Sequence, residues 1–146
     1  MGDRCFIEMT LRREDLSRFG AHVPATPGEA WWGRIVEESP DTVTVSVYEA
    51  NYGWYDERDE AAKAGIPFYG THSEGGEYGP YAFAAWKGTH REAQLDHDGD
   101  LMLSIGEDLK PLHGMASIRK YVATLRKVRT ALAKRLKKRA PLQEAA

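Results

Sequence analysis

The spacing of the hydrophobic residues changes once along this chain, and that change limits the folds open to it. Before residue 114 the clearest apolar residues alternate with polar ones, as at Val43, Val45 and Val47, which is the two-residue period of a half-buried strand. Over residues 115–139 apolar residues instead recur three and four positions apart, the period of an amphipathic helix. Together these patterns predict an α+β fold, in which a mostly antiparallel sheet of about six strands carries two short helices and a long C-terminal helix on one face.

Turn-forming residues bound the predicted elements. The strand-forming segments are Cys5–Leu11, Trp31–Glu37, Val43–Glu49, Ile66–Gly70, Tyr81–Trp86, His90–Leu95 and Leu101–Ile105. The last three are expected to form a meander through turns at Lys87-Gly88 and Asp98-Gly99. Short helices are predicted over Arg13–Phe19 and Asp56–Ala64. The chain has the length of one domain, 1–146, with the long helix ending at Pro141 and a disordered tail over 140–146.

Charge divides the chain unevenly. Residues 1–113 hold 10 Lys/Arg and 21 Asp/Glu, a net of −11, whereas residues 114–146 hold 10 Lys/Arg and one Glu, a net of +9. Each part carries a field that the other can partly neutralise or that a partner can meet. The lone Cys5 cannot form an internal disulfide, and the N-terminus lacks the apolar run of a secretory signal. No stretch reaches the ~20 apolar residues of a membrane span, so we expect a cytoplasmic protein without a membrane partner.

Two short segments contain residue types that bind ions or perform catalysis. Asp96, Asp98 and Asp100, followed by Glu107, match the acidic positions of a calcium loop, but Leu101 stands where that loop needs glycine. The segment is therefore interpreted as an ordinary hairpin turn, and no metal or cofactor is predicted. The loop 72–78 groups a histidine, a hydroxyl, two carboxylates and a phenol beside glycines, which suits either a solvated turn or a binding site.

The distribution of aromatic residues favours an interface. Ten of the 15 aromatic residues lie between Tyr48 and Trp86, in a stretch with seven acids and only two bases. Exposed tyrosine and tryptophan beside carboxylates are typical of protein-binding hot spots, although the same rings can simply cover one end of the sheet. The predicted partner-binding residues are Tyr52, Trp54, Tyr55, Asp56, Glu57, His72, Glu74, Glu77 and Tyr78.

The basic helix supports a competing hypothesis. A row of cations lies on one side of it when it is wound at 3.6 residues per turn, and such a row can contact phosphates. The row consists of Arg119, Lys120, Arg126, Lys127 and Lys134. These side chains can equally pair with the acidic part of the chain, and the apolar seam of the helix permits a homodimer as well as packing on the sheet.

No motif matches a known catalytic or cofactor signature, so function is predicted by class. The leading hypothesis is a non-enzymatic inhibitor or adaptor that engages a protein partner through the acidic and aromatic residues, for example a mobile-element protein that blocks a nucleic-acid-handling complex. The first alternative is a nucleic-acid-binding protein that uses the basic helix. The second is a small enzyme with its site in the loop from His72 to Tyr78.

Overall fold

A computed structural model of the protein describes residues 4–24, 30–76, 78–113 and 115–145, and it has the predicted α+β class. The strands are β1 (Arg4–Arg12), β2 (Arg34–Glu38), β3 (Thr42–Asn51), β4 (Phe68–His72), β5 (Tyr81–Trp86), β6 (Thr89–Gln94), β7 (Ser104–Ile105) and β8 (Pro111–His113). The helices are α1 (Leu16–Gly20), α2 (Tyr55–Lys63) and α3 (Met115–Ala145). Single 3₁₀ turns at Arg13–Asp15 and Tyr52–Trp54 precede α1 and α2.

Six strands form one antiparallel sheet in the order β2-β3-β1-β4-β5-β6. The first strand of the chain lies in the middle, where Ile7 is opposite Val47 on one side and His72 on the other. β4, β5 and β6 follow one another as a meander, with Phe83 opposite both Gly70 and Glu92. This arrangement confirms the six-stranded antiparallel sheet and the meander in the second half of the chain.

Because side chains alternate across a strand, the sheet has two unlike faces. The α2 face carries the larger core, where Phe19 of α1 and Ala61 and Ala62 of α2 pack with Phe68 and other apolar residues of the sheet. On the opposite face, the α3 face, α3 packs over β4, β5 and β6. The core of this face consists of Ala82, Ala84, Ala93, Leu95, Tyr121, Val128 and Leu132. Alanines on the strands let the helix approach closely and bury its apolar stripe.

The prediction that Leu101–Ile105 continues the meander is wrong. The expected turn does form, since the Asp96 carboxylate accepts hydrogen bonds from the backbone N–H groups of Asp98 and Asp100 at 2.9 Å each. Beyond it, however, only a single bridge joins Leu95 to Leu101. The backbone of β7 instead pairs with β8 in a separate two-stranded sheet. The chain reverses between β7 and β8 in a tight turn, in which the N–H of Gly106 donates to the carbonyl oxygen of Lys110 and the N–H of Leu109 donates to that of Gly106. The backbone groups of β7 are thus paired with β8 and not with β6.

The prediction that the long helix ends at Pro141 is also wrong, because α3 runs to Ala145. A proline lacks its own backbone N–H and its ring crowds the preceding turn, so it weakens a helix without always ending it. The order of residues 140–146 in solution stays a prediction. Within the described ranges, no helix combines the length and apolar content that crossing a membrane requires.

Candidate functional site

A left-handed turn joins β3 to α2. Tyr52, Gly53 and Trp54 have φ angles of 52°, 60° and 56°, and Glu49, in the register shift between Val47 and Ala50 of β3, has a φ of 50°. Only glycine adopts this region freely, and a side chain there costs about 1–2 kcal/mol per residue. Such backbone persists only where its surroundings hold it, and it is concentrated at functional sites.

Arg58 of α2 holds the turn from inside the protein. Its side chain is completely buried, and its Nε donates a hydrogen bond of 2.9 Å to the carbonyl oxygen of Gly53. Its Nη2 donates to Oε2 of Glu92 at 2.7 Å, and the guanidinium carbon lies 4.1 Å from the centre of the Phe83 ring. Burial lowers the pKa of Arg58 and the Glu92 carboxylate opposes that change. An arginine keeps its charge in proteins, so this residue ties the turn to β5 and β6 through a paired, desolvated cation.

His90 continues the network in one defined tautomer. Its Nε2 lies 2.9 Å from Nη1 of Arg58, which can only donate, so Nε2 accepts and carries no proton. Its Nδ1 therefore bears the hydrogen and donates to Oδ1 of Asp59 at 3.3 Å. Burial and the neighbouring Arg58 lower the pKa of His90 to about 4. Asp59 also pairs with Lys63 at 3.0 Å, so the network reaches the surface at the outer side of α2.

His72 lies on the other side of Arg58, at the end of β4. Its Nδ1 is 2.8 Å from the carbonyl oxygen of Ser73, and its Nε2 is 3.9 Å from Oε2 of Glu92. Burial lowers the pKa of His72, more than the hydrogen bond to Ser73 raises it. The imidazole packs so closely on Gly53 that a Cβ there would come within 2.8 Å of its Cδ2. Glycine is therefore required at position 53 both by its backbone angle and by the histidine above it.

Tyrosine side chains cover this buried network. Tyr78 packs edge-on against His72 with ring centres 5.6 Å apart, and Tyr52 lies 6.0 Å from Tyr78. Tyr55 lies 5.5 Å from His90 and, like Tyr52, exposes nearly half of its surface. Asp56 is exposed and Glu57 is half-buried in the first turn of α2. We call the group Tyr52, Tyr55, Asp56, Glu57 and Tyr78 the acidic–aromatic surface.

The structure therefore joins the two sequence segments that were predicted to bind a partner. The contact from Tyr52 to Tyr78 and the packing of His72 on Gly53 bring residues 52–57 beside the loop that follows β4. Two members were expected to be exposed and are not: Trp54 is 4% exposed and His72 is 5% exposed.

The two residues are buried for different reasons. His72 lies opposite Ile7 on the face of β4 that packs with α2. Trp54 belongs to the core, where its ring lies 6.0 Å from that of Trp31, because the left-handed turn directs it inward. Both residues thus support the surface from below rather than forming part of it. Glu74 is exposed, and Glu77 lies outside the described residues.

Sequence reasoning missed Arg58, His90 and Glu92. Arg58 stands among acidic neighbours in a short helix of charged composition, so nothing local distinguishes it from a solvent-facing base. A weak signal did exist in β6, where His90, Glu92 and Gln94 alternate and so share one face of the strand. Because β6 is an edge strand beside the apolar β5, such a polar row is compatible with a buried network as well as with a solvent-facing edge.

The basic residues of α3 are directed to solvent. Arg119, Lys120, Arg126 and Lys127 are exposed, and among the described side chains none of the four forms an ion pair with the acidic part of the chain. The side chain of Lys134 lies outside the described residues. One further cation, Arg129, lies 5.3 Å over the Tyr69 ring on the α3 face. Of the two alternatives for these cations, pairing with the acidic part of the chain or exposure to a partner, these four residues show exposure.

The position of His72 does not support the alternative of a small enzyme that uses this residue as a general base. A general base must come within hydrogen-bond reach of the proton that it removes. His72 is buried beneath Tyr78, and its Nδ1 is already engaged by Ser73. Among the described residues, no group of three or more His, Cys, Asp or Glu side chains is arranged to hold a metal ion.

Comparison with protein-family models, with curated protein sequences and with solved structures finds no match for this chain.

Proposed function

We propose that this protein is a non-enzymatic binding protein, an inhibitor or adaptor, that engages a protein partner through the acidic–aromatic surface. The observation that carries the proposal is the left-handed turn at Tyr52, Gly53 and Trp54, held in place by the buried Arg58. Two non-glycine residues in this region cost stability that a purely structural connection between a strand and a helix does not require. Their effect is to fix the positions of Tyr52 and Tyr55 at the surface.

A surface fixed in this way suits tight binding. Tyrosine supplies a large contact area at little cost in side-chain entropy, and it is enriched at the residues that dominate binding energy. A rigid backbone further lowers the entropy lost on association. Tyr52 rests on Tyr78 and Tyr55 packs beside His90, so both rings are held before a partner arrives.

The charge around these rings indicates the kind of partner. Asp56 and Glu57 lie beside the tyrosines, and the part of the chain up to residue 113 has a net charge of −11. Complementary charge steers association and selects against partners of like charge. The surface therefore fits a protein with a cationic groove, and proteins that handle nucleic acids are one class that has such grooves.

The proposal is tested by comparing variants in affinity capture from a lysate of the source cells, followed by titration calorimetry with the purified captured protein. Replacing Tyr52 and Tyr55 together by alanine removes the two exposed rings and leaves the buried network intact. If they are hot-spot residues, we expect the Kd to rise by about 30-fold or more, which corresponds to at least ~2 kcal/mol.

Tyr48→Ala is the matched control. Tyr48 is 64% exposed, but in β3 it follows Val47, which packs on the core of the α2 face, so its side chain points to the opposite face. A partner retained by this variant and lost with the double variant supports the proposal. The proposal is contradicted if the unaltered protein, the double variant and Tyr48→Ala all capture the same proteins with the same affinity.

A further inference from the structure

A second candidate site lies on the opposite face of the sheet, between the β5–β6 turn and α3. It is a groove of about 320 Å³ lined by Trp86, Lys87, Thr89, Thr124 and Lys127. That volume is at the small end of the ~300–1,000 Å³ typical of ligand pockets. None of these five lining residues takes part in the acidic–aromatic surface, so the groove is independent of the function proposed above.

The groove is held by rigid parts of the fold. Lys87 and Gly88 have φ angles of 47° and 84°, the two positive values of a tight two-residue hairpin turn. Lys87 places its Nζ 5.6 Å from the centre of the Trp86 ring, and Trp86 packs against the apolar core beneath α3. On the helix side, the Thr124 hydroxyl donates to the carbonyl oxygen of Lys120 at 3.0 Å, which leaves its lone pairs free to accept.

The lining chemistry selects an anion that carries a flat ring. Two of the five residues are lysines, two are hydroxyl-bearing threonines and none is acidic. The indole of Trp86 is half-buried, and the ammonium over its ring belongs to the exposed side chain of Lys87. A base can therefore stack on the indole by displacing that ammonium toward the adjacent phosphate, and bases stack on aromatic side chains irrespective of their sequence. A phosphate beside an aromatic base satisfies both requirements, whereas an inorganic anion leaves the indole unused.

Exposed cations continue from the groove along α3. Lys120 lies one helical turn from Thr124 and two turns from Lys127, and Arg119 and Arg126 continue the exposed cationic side of α3. We propose that the groove binds single-stranded nucleic acid, with one base against Trp86 and the adjacent phosphates at Lys87 and Lys127. A duplex keeps its bases stacked and cannot place one in a space of this size.

The test measures binding of a fluorescently labelled oligothymidylate to the full chain by anisotropy, at about 50 and about 200 mM salt. Trp86→Ala is expected to weaken binding by about 5- to 150-fold, the effect of losing one stacked base. Replacing Lys87 and Lys127 by glutamine removes two phosphate contacts and should lower the slope of log K against log salt by about 1.4.

Matched variants distinguish the contribution of the groove from the effect of net charge on binding. The pair Arg34→Gln and Lys110→Gln changes the net charge by the same amount at exposed positions outside the groove and should leave the slope near its original value. Trp86→Phe keeps an aromatic surface and should retain most of the affinity. If circular dichroism shows that Trp86→Ala does not fold, the change in salt dependence with the Lys87→Gln/Lys127→Gln variant still tests the phosphate contacts, and Trp86→Phe still tests the aromatic contact. The Tyr52→Ala/Tyr55→Ala variant should bind the strand normally, so failure of one proposal is distinguishable from failure of the other.

Several results would overturn the assignment. The first two are no binding of the strand at low salt, and a control pair that weakens binding as much as the Lys87 and Lys127 replacements do. The other two are equal affinities for duplex and single strand, and displacement of the labelled strand by polyglutamate as effectively as by unlabelled strand. A mononucleotide that binds as tightly as the oligonucleotide would likewise show that the cations along α3 do not contribute.

Discussion

The two faces of the β4–β5–β6 meander are built from opposite kinds of chemistry. On the α3 face, Ala82, Ala84 and Ala93 meet the apolar stripe of the helix. On the α2 face, β6 contributes His90 and Glu92 to a hydrogen-bonded network around the buried Arg58, and β4 places His72 beside it, 3.9 Å from Glu92. One strand thus separates an apolar layer from a charged one by the thickness of its backbone, since successive side chains point to opposite faces.

The difference shows what each face contributes. An apolar layer stabilises in proportion to the area that it buries and tolerates small shifts of the helix. A buried ion pair adds little net stability, because desolvation offsets the attraction, but its partners must be in place or the loss is large. The charged network on the α2 face therefore fixes the conformation of the turn that carries Tyr52 and Tyr55.

The first prediction compares two variants that each introduce a methionine, one on each face of the sheet. Arg58→Met leaves the Glu92 carboxylate, the His90 acceptor and the Gly53 carbonyl oxygen without their donor. We expect a loss of about 3–5 kcal/mol in the free energy of unfolding, measured by urea denaturation. Leu132→Met on the α3 face conserves volume in an apolar layer and should cost less than about 1.5 kcal/mol. Equal costs for the two variants would show that the network is not a special feature of the α2 face.

The second prediction concerns pH. A histidine in the unfolded chain binds a proton near its usual pKa of about 6.5, whereas folded His90 does so only near a pKa of about 4. The unfolded state therefore binds more protons in that interval, so this contribution to stability is complete above the unfolded pKa and is lost as the pH falls toward the folded one. We expect the free energy of unfolding to fall by about 2 kcal/mol between pH 7 and about pH 5. His72, whose pKa is also lowered by burial, acts in the same direction.

His90→Gln is the control for this effect, because glutamine can accept a hydrogen bond but does not titrate. The carboxylate of Asp59 does not obscure the measurement. Its pKa is lowered by the hydrogen bond from Lys63, so its contribution is lost only at more acid pH. A wild-type stability that is flat across this interval, or a slope unchanged in His90→Gln, would contradict the assignment of the buried neutral tautomer.

The smallest predicted effect isolates the contact between the turn and the network. Gly53→Ala and Gly65→Ala both place a Cβ at positive φ, which costs about 1–2 kcal/mol. At Gly65 the added atom meets nothing within 4 Å, whereas at Gly53 it meets His72. The alanine at 53 should therefore cost about 1 kcal/mol more than the alanine at 65 in urea denaturation. Indistinguishable costs would mean that His72 moves away freely and does not fix the turn.

Elements with a clear hydrophobic period were predictable from the sequence. Tyr81–Trp86 was predicted with its exact bounds, and α2 within one residue at each end, because alternation and capping signals are local. The Arg58 network was not predictable, since it joins residues 58, 72, 90 and 92 only after three strands have paired. The inward direction of Trp54 likewise depends on a left-handed turn that no local propensity favours.

The position of β1 affects the order in which the chain can assemble during synthesis. Although β1 is the first of these strands to be made, its Ile7 needs Val47 and His72 as neighbours, so it must wait until about half of these 146 residues have left the ribosome. The meander and α3, in contrast, are sequential in the chain and pack on one another. Contacts between distant residues form slowly because the intervening loop must close first. We therefore expect the C-terminal half to form an early folding unit, against which the N-terminal strand later docks as the central member of the sheet.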